Sequence, residues 1–227
     1  MALPQEPFYT LEDIYALPDG KRAELLDGQI YNMAPPSRVH QEIVQFMTKN
    51  IGYHIDKKND SCKVYPAPFA VFLTKDNSNY VEPDVSVICD KDKLDERGCN
   101  GAPDWIIEVI SPSSKRMDRS IKLFKYRSAG VREYWMIDPN KNTVTVYFFE
   151  EDFVEDYTLS DMVPAHIYED LEIDVTKTYM IKCKAKNVYL YSTNYEVTYD
   201  LNGGDILGDT KFHFVFEATG GTSSNGN

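Results

Sequence analysis

Nowhere in the 227 residues does an apolar run approach the roughly 18 needed for a membrane-spanning helix. The opening Met-Ala-Leu-Pro-Gln-Glu-Pro also lacks the basic and apolar regions of a secretory leader. Both absences predict a cytoplasmic protein with no membrane partner. Cysteine is sparse: Cys62, Cys89, Cys99 and Cys183 are scattered and form no Cys-x-x-Cys pair. That spacing argues against zinc and provides no disulfide framework, so free thiols are expected. A basic surplus is missing too, since the net charge of −12 has the wrong sign for a phosphate-rich partner.

The placement of the charge along the chain reopens that possibility. Ten acids and no Lys or Arg fall between Glu150 and Asp174, so the rest of the chain carries only −2. Such a run reads as solvated surface. Between Lys115 and Arg132 the balance reverses, with Lys115, Arg116, Arg119, Lys122, Lys125, Arg127 and Arg132 against Asp118 alone. Whole-chain charge is therefore a poor guide to the partner.

Local signals lay out the elements. Thr10 followed by Asp13 caps a short helix that Pro18-Asp19-Gly20 stops. Asp27-Gly28 is the preferred two-residue turn of a hairpin, with Glu24 in its first arm. A helix over 38–55 places Ile43, Val44, Met47 and Ile51 at helical spacing, a face suited to packing on a sheet. Residues 63–73 read as an edge or bulged strand around Pro66 and Pro68. Residues 81–89 form another strand, with Asp84 and Ser86 on one face and Val85 and Val87 on the other. A charged loop over 90–101 leads to a third strand. A helix over 117–129, with Ile121 and Phe124 inward, ends at Gly130. Residues 133–138 and 143–149 form a strand pair. The order of elements predicts an α/β mixed sheet flanked by helices, closing near Val175. A small β-rich extension over 176–218 and a disordered Gly/Ser/Asn tail over 219–227 follow.

Ala102-Pro-Asp-Trp-Ile-Ile-Glu-Val-Ile110 is the stretch on which the chemistry turns. Trp105 to Ile110 is an apolar run between two prolines, the pattern of a strand covered on both faces. Glu108 interrupts it, and a buried carboxylate costs several kcal/mol unless a cation or strong donors meet it. The neighbouring strand delivers a second carboxylate, Asp84. Two carboxylates held close are relieved by a shared proton or by a divalent cation. Oxygen donors with few imidazoles favour Mg²⁺ or Mn²⁺, and the Val109 carbonyl can complete the set.

Pro83-Asp84 followed by Glu108-Val109-Ile110 resembles the PD-(D/E)XK nuclease signature. Six blocks narrow the resemblance: Glu24-Leu-Leu-Asp-Gly, His40-Gln41, Glu82-Pro-Asp, the stretch from Ala102 to Ser114, Asp118-Arg-Ser-Ile-Lys-Leu-Phe-Lys-Tyr, and Gly130-Val-Arg-Glu-Tyr-Trp-Met-Ile-Asp-Pro. Together they resemble the Uma-two family of restriction-type endonucleases over about residues 8 to 175. One departure stands out: the signature lysine, due two residues after the glutamate, is replaced by Ile110. The resemblance implies that this lysine has moved to the following helix, at Lys122, with Lys125 the competing candidate. Asp118, one turn earlier, could hold Lys122, or the two could form an ordinary surface ion pair.

The resemblance implies a restriction-endonuclease-like domain that hydrolyses DNA phosphodiester bonds with Mg²⁺ or Mn²⁺. Asp84, Glu108 and Val109 would hold the metal, Glu24 would either join them or be an ordinary hairpin charge, and Lys122 would act on water or phosphate. Lys115, Arg116, Arg119 and Lys125 would contact the nucleic acid. His40 either lines the cleft or packs at its helix N-terminus. Cutting two strands would favour a homodimer. The rival reading is a catalytically silent nuclease fold that binds nucleic acid or protein, and a third makes the C-terminal extension an interaction module.

Overall fold

A computed structural model of the chain describes residues 8–111, 117–175, 188–191 and 196–199. Contacts divide the chain into two units, Met1–Tyr179 and Met180–Asn227. In the first, α1 (Leu11–Tyr15) opens on Thr10, whose N–H donates to Asp13 Oδ2 at 2.8 Å. Strands β1 (Ala23–Leu26) and β2 (Gln29–Asn32) pair across Asp27 and Gly28, both at positive φ, 50° and 73°. Left-handed conformation at both central residues is what a type I′ turn requires. Next come α2 (Arg38–Lys58), β3 (Lys63–Pro66), β4 (Val71–Phe72), β5 (Asn79–Val81) and β6 (Val85–Ile88). Asn59, left-handed at φ 53°, ends α2 three residues later than periodicity predicts.

The segments expected as single strands each divide in two. Residues 63–73 become β3 and β4, and the strand expected over 81–89 divides into β6 and the end of β5, which begins earlier, at Asn79, with the members of each pair in different sheets. Prolines lie near both breaks, at Pro66, Pro68 and Pro83, where a missing N–H prevents a continuous ladder. The two crossings meet, since Ala67 N donates to Asp84 O at 3.0 Å. The loop expected over 90–101 also holds structure: a 3₁₀ turn at Lys91–Lys93 and the hairpin of β7 (Leu94–Asp95) with β8 (Gly98–Asn100).

After β9 (Trp105–Val109), a π-helical segment Met117–Lys122 runs into α3 (Leu123–Ala129). Here Phe124 is exposed, not inward, and Tyr126 is fully buried. Residues four apart share one side of a helix, and Asp118, Lys122 and Tyr126 all face in. Strands β10 (Glu133–Asp138) and β11 (Thr143–Phe148) pair as expected. The acidic stretch then folds as β12 (Phe153–Thr158), β13 (Met162–Pro164) and β14 (Glu172–Asp174), which sequence reasoning missed. Most of its carboxylates stay exposed while Val163, Ile173 and Val175 enter the core.

The central sheet has the spatial order β12-β11-β10-β9-β6-β3, with β9 and β10 parallel and the other neighbours antiparallel. A second sheet, β2-β1-β5-β4-β8-β7, contributes Glu24. Alternation along β9 sends Trp105, Ile107 and Val109 into the cluster formed with Ile43, Met47 and Ile51 of α2. Ile106 and Ile110 enter the cluster of Tyr126, Tyr134 and Met136, and Glu108 shares their face. In the second unit, β15 (Val188–Tyr191) and β16 (Glu196–Tyr199) form an antiparallel pair. The expected strands beyond it and the tail over 219–227 lie outside the described residues.

One expectation about cysteine is corrected. Cys62 and Cys89 form a disulfide, because antiparallel pairing of Lys63 with Ile88 puts the next residues of β3 and β6 opposite each other. Their separation of 27 residues carries no signal of this. Cys99 is a free buried thiol, pushed up to about 11 by burial, and Cys183 lies outside the described residues.

Candidate active site

Four parts of the fold deliver carboxylates to one cavity of about 410 Å³, with Asp118 coming from the π-helical segment. Glu108 comes from the middle of the central sheet, Glu24 from the hairpin, and Asp84 from the chain crossing just before β6. Released from the ladder after Pro83, the Asp84 side chain accepts from Val109 N at 2.8 Å through Oδ2. The same oxygen lies 3.1 Å from His40 Nε2, in the first turn of α2. Val109 C=O leaves the strand on the side of its N–H, toward Asp84, while Ile110 N donates the other way, to Ile137 O at 2.7 Å.

Lys122 joins these groups. Its ammonium is 2.8 Å from Glu108 Oε1, 2.9 Å from Glu24 Oε1 and 3.6 Å from Asp118 Oδ1. Lys122 and Asp118 are 4% and 1% exposed, so the surface ion-pair reading is wrong. Tyr126 OH also donates to Glu108 Oε1, at 2.7 Å, and its ring packs edge-on against Tyr134. Glu108 Oε1 thus receives two donors. Glu24 Oε1 additionally accepts from Glu82 N at 3.0 Å, tying the hairpin to the β5–β6 crossing. Glu82 itself is held by Arg22 Nε at 2.7 Å and by Tyr80 OH at 2.5 Å.

Burial pushes the Glu108 carboxyl well above the usual carboxylate range, and Asp84, Asp118 and Glu24 add to this against the opposing charge of Lys122. Burial works against the Lys122 ammonium as well, but Glu108, Glu24 and Asp118 outweigh it and hold its pKa well above the ordinary value. Burial and then Glu108 keep Tyr126 protonated. At neutral pH Lys122 and Tyr126 are therefore both donors.

The cavity's donor set fits a hard divalent cation. Glu24, Asp84, Glu108 and Asp118 line it with only Lys122 and Arg22 as cations, and Arg22 is engaged by Glu82. Among the described residues, Asp84 Oδ1 and Glu108 Oε2 have no hydrogen-bond partner. No group of three His, Cys, Asp or Glu side chains among them forms a ready cage. Mg²⁺ does not need one, because it binds through one or two carboxylates and keeps several waters.

Of the expected site residues, Asp84, Glu108, Val109, Glu24, Lys122 and His40 line the cavity together. Lys125 is not among its lining residues; it pairs with Asp27 in the hairpin turn, so Lys122 is the lysine that reaches the carboxylates. Arg119 pairs with Asp138 at 3.3 Å and is also absent from the lining. Lys115 and Arg116 lie outside the described residues. The remaining arginines of the basic stretch are engaged too, Arg127 by Asp152 and Arg132 by Glu150 and Asp104. Each described cation of the basic stretch thus has an acidic partner, and the pairs of Arg127 and Arg132 lie at the surface. Sequence reasoning missed Tyr126, Arg22 and Gln41. Tyr126 had a signal, its spacing of four from Lys122, which puts the two on one face of a helix.

The mixed sheet and its flanking helices match a known fold. A crystal structure from Anabaena variabilis of a "putative nuclease belonging to DUF820" superposes with a TM-score of 0.61, at 22% identity. The match covers 74% of this chain and 96% of that one. Residues 7–176 match the Uma2 family, described as "Putative restriction endonuclease", and the chain belongs to that family. An uncharacterized protein of Synechocystis, slr1290, is 26% identical over 145 residues, covering 62% of this chain and 75% of that protein.

Proposed function

We propose that the protein is a Mg²⁺- or Mn²⁺-dependent endonuclease that hydrolyses DNA phosphodiester bonds. The observation that carries this reading is the meeting of Asp84, Glu108 and Lys122 in one cavity, each from a different element. Asp84, Glu108 and the Val109 carbonyl would hold the ion, with Glu24 beside them. When bound, the cation supplies Lewis-acid charge that lowers the pKa of water and offsets charge at phosphorus.

The chain's own groups do the rest. Lys122 and Tyr126 fix the Glu108 carboxylate through Oε1, leaving Oε2 for the ion. Val109 N fixes Asp84 in the same way. Lys122 keeps its proton at Nζ and offsets negative charge developing on the phosphate oxygens. His40 Nε2, 3.1 Å from Asp84 Oδ2, helps to hold that carboxylate in place. Burial of the network holds these positions without reorganisation.

One observation favours the silent-fold reading. Lys122 already neutralises two of the carboxylates, Glu24 and Glu108, without any metal. A supercoiled-plasmid nicking assay with Mg²⁺ and Mn²⁺ separates the two readings when repeated on Asp84→Ala and Lys122→Ala. The proposal expects nicking by wild type alone, lost with EDTA. Identical behaviour of all three proteins refutes it.

A further inference from the structure

The described cations of the basic stretch already have acidic partners, buried for Lys122 and at the surface for Arg127 and Arg132. The cavity itself is rich in acid, so a polyanion cannot approach it over its own walls without repulsion. A second groove, of about 390 Å³, opens directly from the cavity and shares Gln41, Val44 and Ala67 with it. Its floor is the outward side of α2, where Gln41, Gln45, Thr48 and Lys49 recur at helical spacing. The opposite wall is Pro66 and Ala67, at the crossing that also carries Asp84. No acid lines this groove.

The donors there are uncommitted. Lys49 is exposed and, among the described residues, has no ion pair or hydrogen bond, and the Gln41 and Gln45 amides have no side-chain partner. Thr48 has spent its proton on Val44 O at 2.8 Å and can only accept. From Gln41 to Lys49 the helix rises about 12 Å, matching the axial rise of roughly three nucleotides of one strand.

We infer that this groove binds the phosphodiester backbone of one DNA strand beside the cleavage position, with Lys49 as its charged contact and Gln41 and Gln45 as neutral donors. The inference rests on the nuclease reading and deepens it, because it says by which path the strand reaches the acid-rich cavity. Contacts of this kind set register without reading sequence.

The test is fluorescence anisotropy of a labelled DNA duplex in EDTA, which prevents hydrolysis, across a series of salt concentrations. It compares wild type, Lys49→Glu and Lys91→Glu. Lys91 is an equally exposed cation beyond the opposite end of β6 and controls for net charge. Lys49→Glu is expected to weaken binding about tenfold or more and to flatten the slope of log affinity against log salt by about 1. Lys91→Glu should stay within about twofold, and thermal midpoints should be unchanged. If wild type binds and both variants bind equally well, the groove is refuted while the nuclease reading stands. If wild type binds no DNA, or binds RNA alone, the groove is refuted, and the nicking assay with Mg²⁺ and Mn²⁺ decides the nuclease reading separately.

Discussion

Removing the Tyr126 hydroxyl isolates the physics of the candidate site in one atom. Tyr126→Phe leaves the ring, its edge-on packing on Tyr134 and its full burial in place, and deletes only the 2.7 Å donor to Glu108 Oε1. Glu108 is 4% exposed, so water cannot replace the lost bond freely. A hydrogen bond to a charged group contributes about 1.5–3 kcal/mol, and Lys122 still supports the same oxygen. A loss of about 2 kcal/mol is therefore expected. Urea unfolding read by tryptophan fluorescence measures it well, because the chain's two tryptophans, Trp105 and Trp135, are fully buried in one core cluster. The same substitution in a Glu108→Gln background should cost much less, giving a coupling energy of at least about 1 kcal/mol. A loss below about 0.5 kcal/mol, or an equal loss in both backgrounds, would refute the claim that Tyr126 holds the carboxylate.

Three further outcomes follow from the same structure. Lys122→Met strands Glu24, Glu108 and Asp118 without their ammonium and should destabilise by about 3–5 kcal/mol, partly recovered by millimolar Mg²⁺ in a thermal-shift assay; indifference to both changes would show that the pair is not electrostatically important. Burial pushes Glu133 up to about 7, against the hydrogen bonds it receives from Trp135, His166 and Ile167. The folded state then holds a proton that the unfolded chain releases near 4.5, so this residue's contribution falls as pH rises from about 4.5 through 7, by about 3 kcal/mol. Glu133→Gln should flatten that slope of stability between pH 5 and pH 8, and an unchanged slope counts against the assignment. Reducing the Cys62–Cys89 bond should lower stability by about 3 kcal/mol from loop entropy, read as a shift in the urea midpoint with and without dithiothreitol.

The sequence by itself determined which residues could be buried together. A continuous apolar run with one carboxylate in it is legible as a covered strand, and Asp-Gly between alternating arms is legible as a hairpin, because both signals are carried by neighbouring residues. The recurring Ile43, Val44, Met47 and Ile51 placed α2 on the sheet for the same reason. What only the tertiary structure decided is which distant groups meet. The choice of Lys122 over Lys125 depends on which face of the helix packs inward, a choice that also leaves Phe124 exposed. The disulfide depends on strand register, which no cysteine spacing reports. The ion pairs of the basic helix depend on acids such as Asp27, Asp138 and Asp152 that lie far from it along the chain. Periodicity is a property of a few consecutive backbone units, whereas electrostatic pairing is a property of packed surfaces, and the second can be known only after the chain has closed on itself.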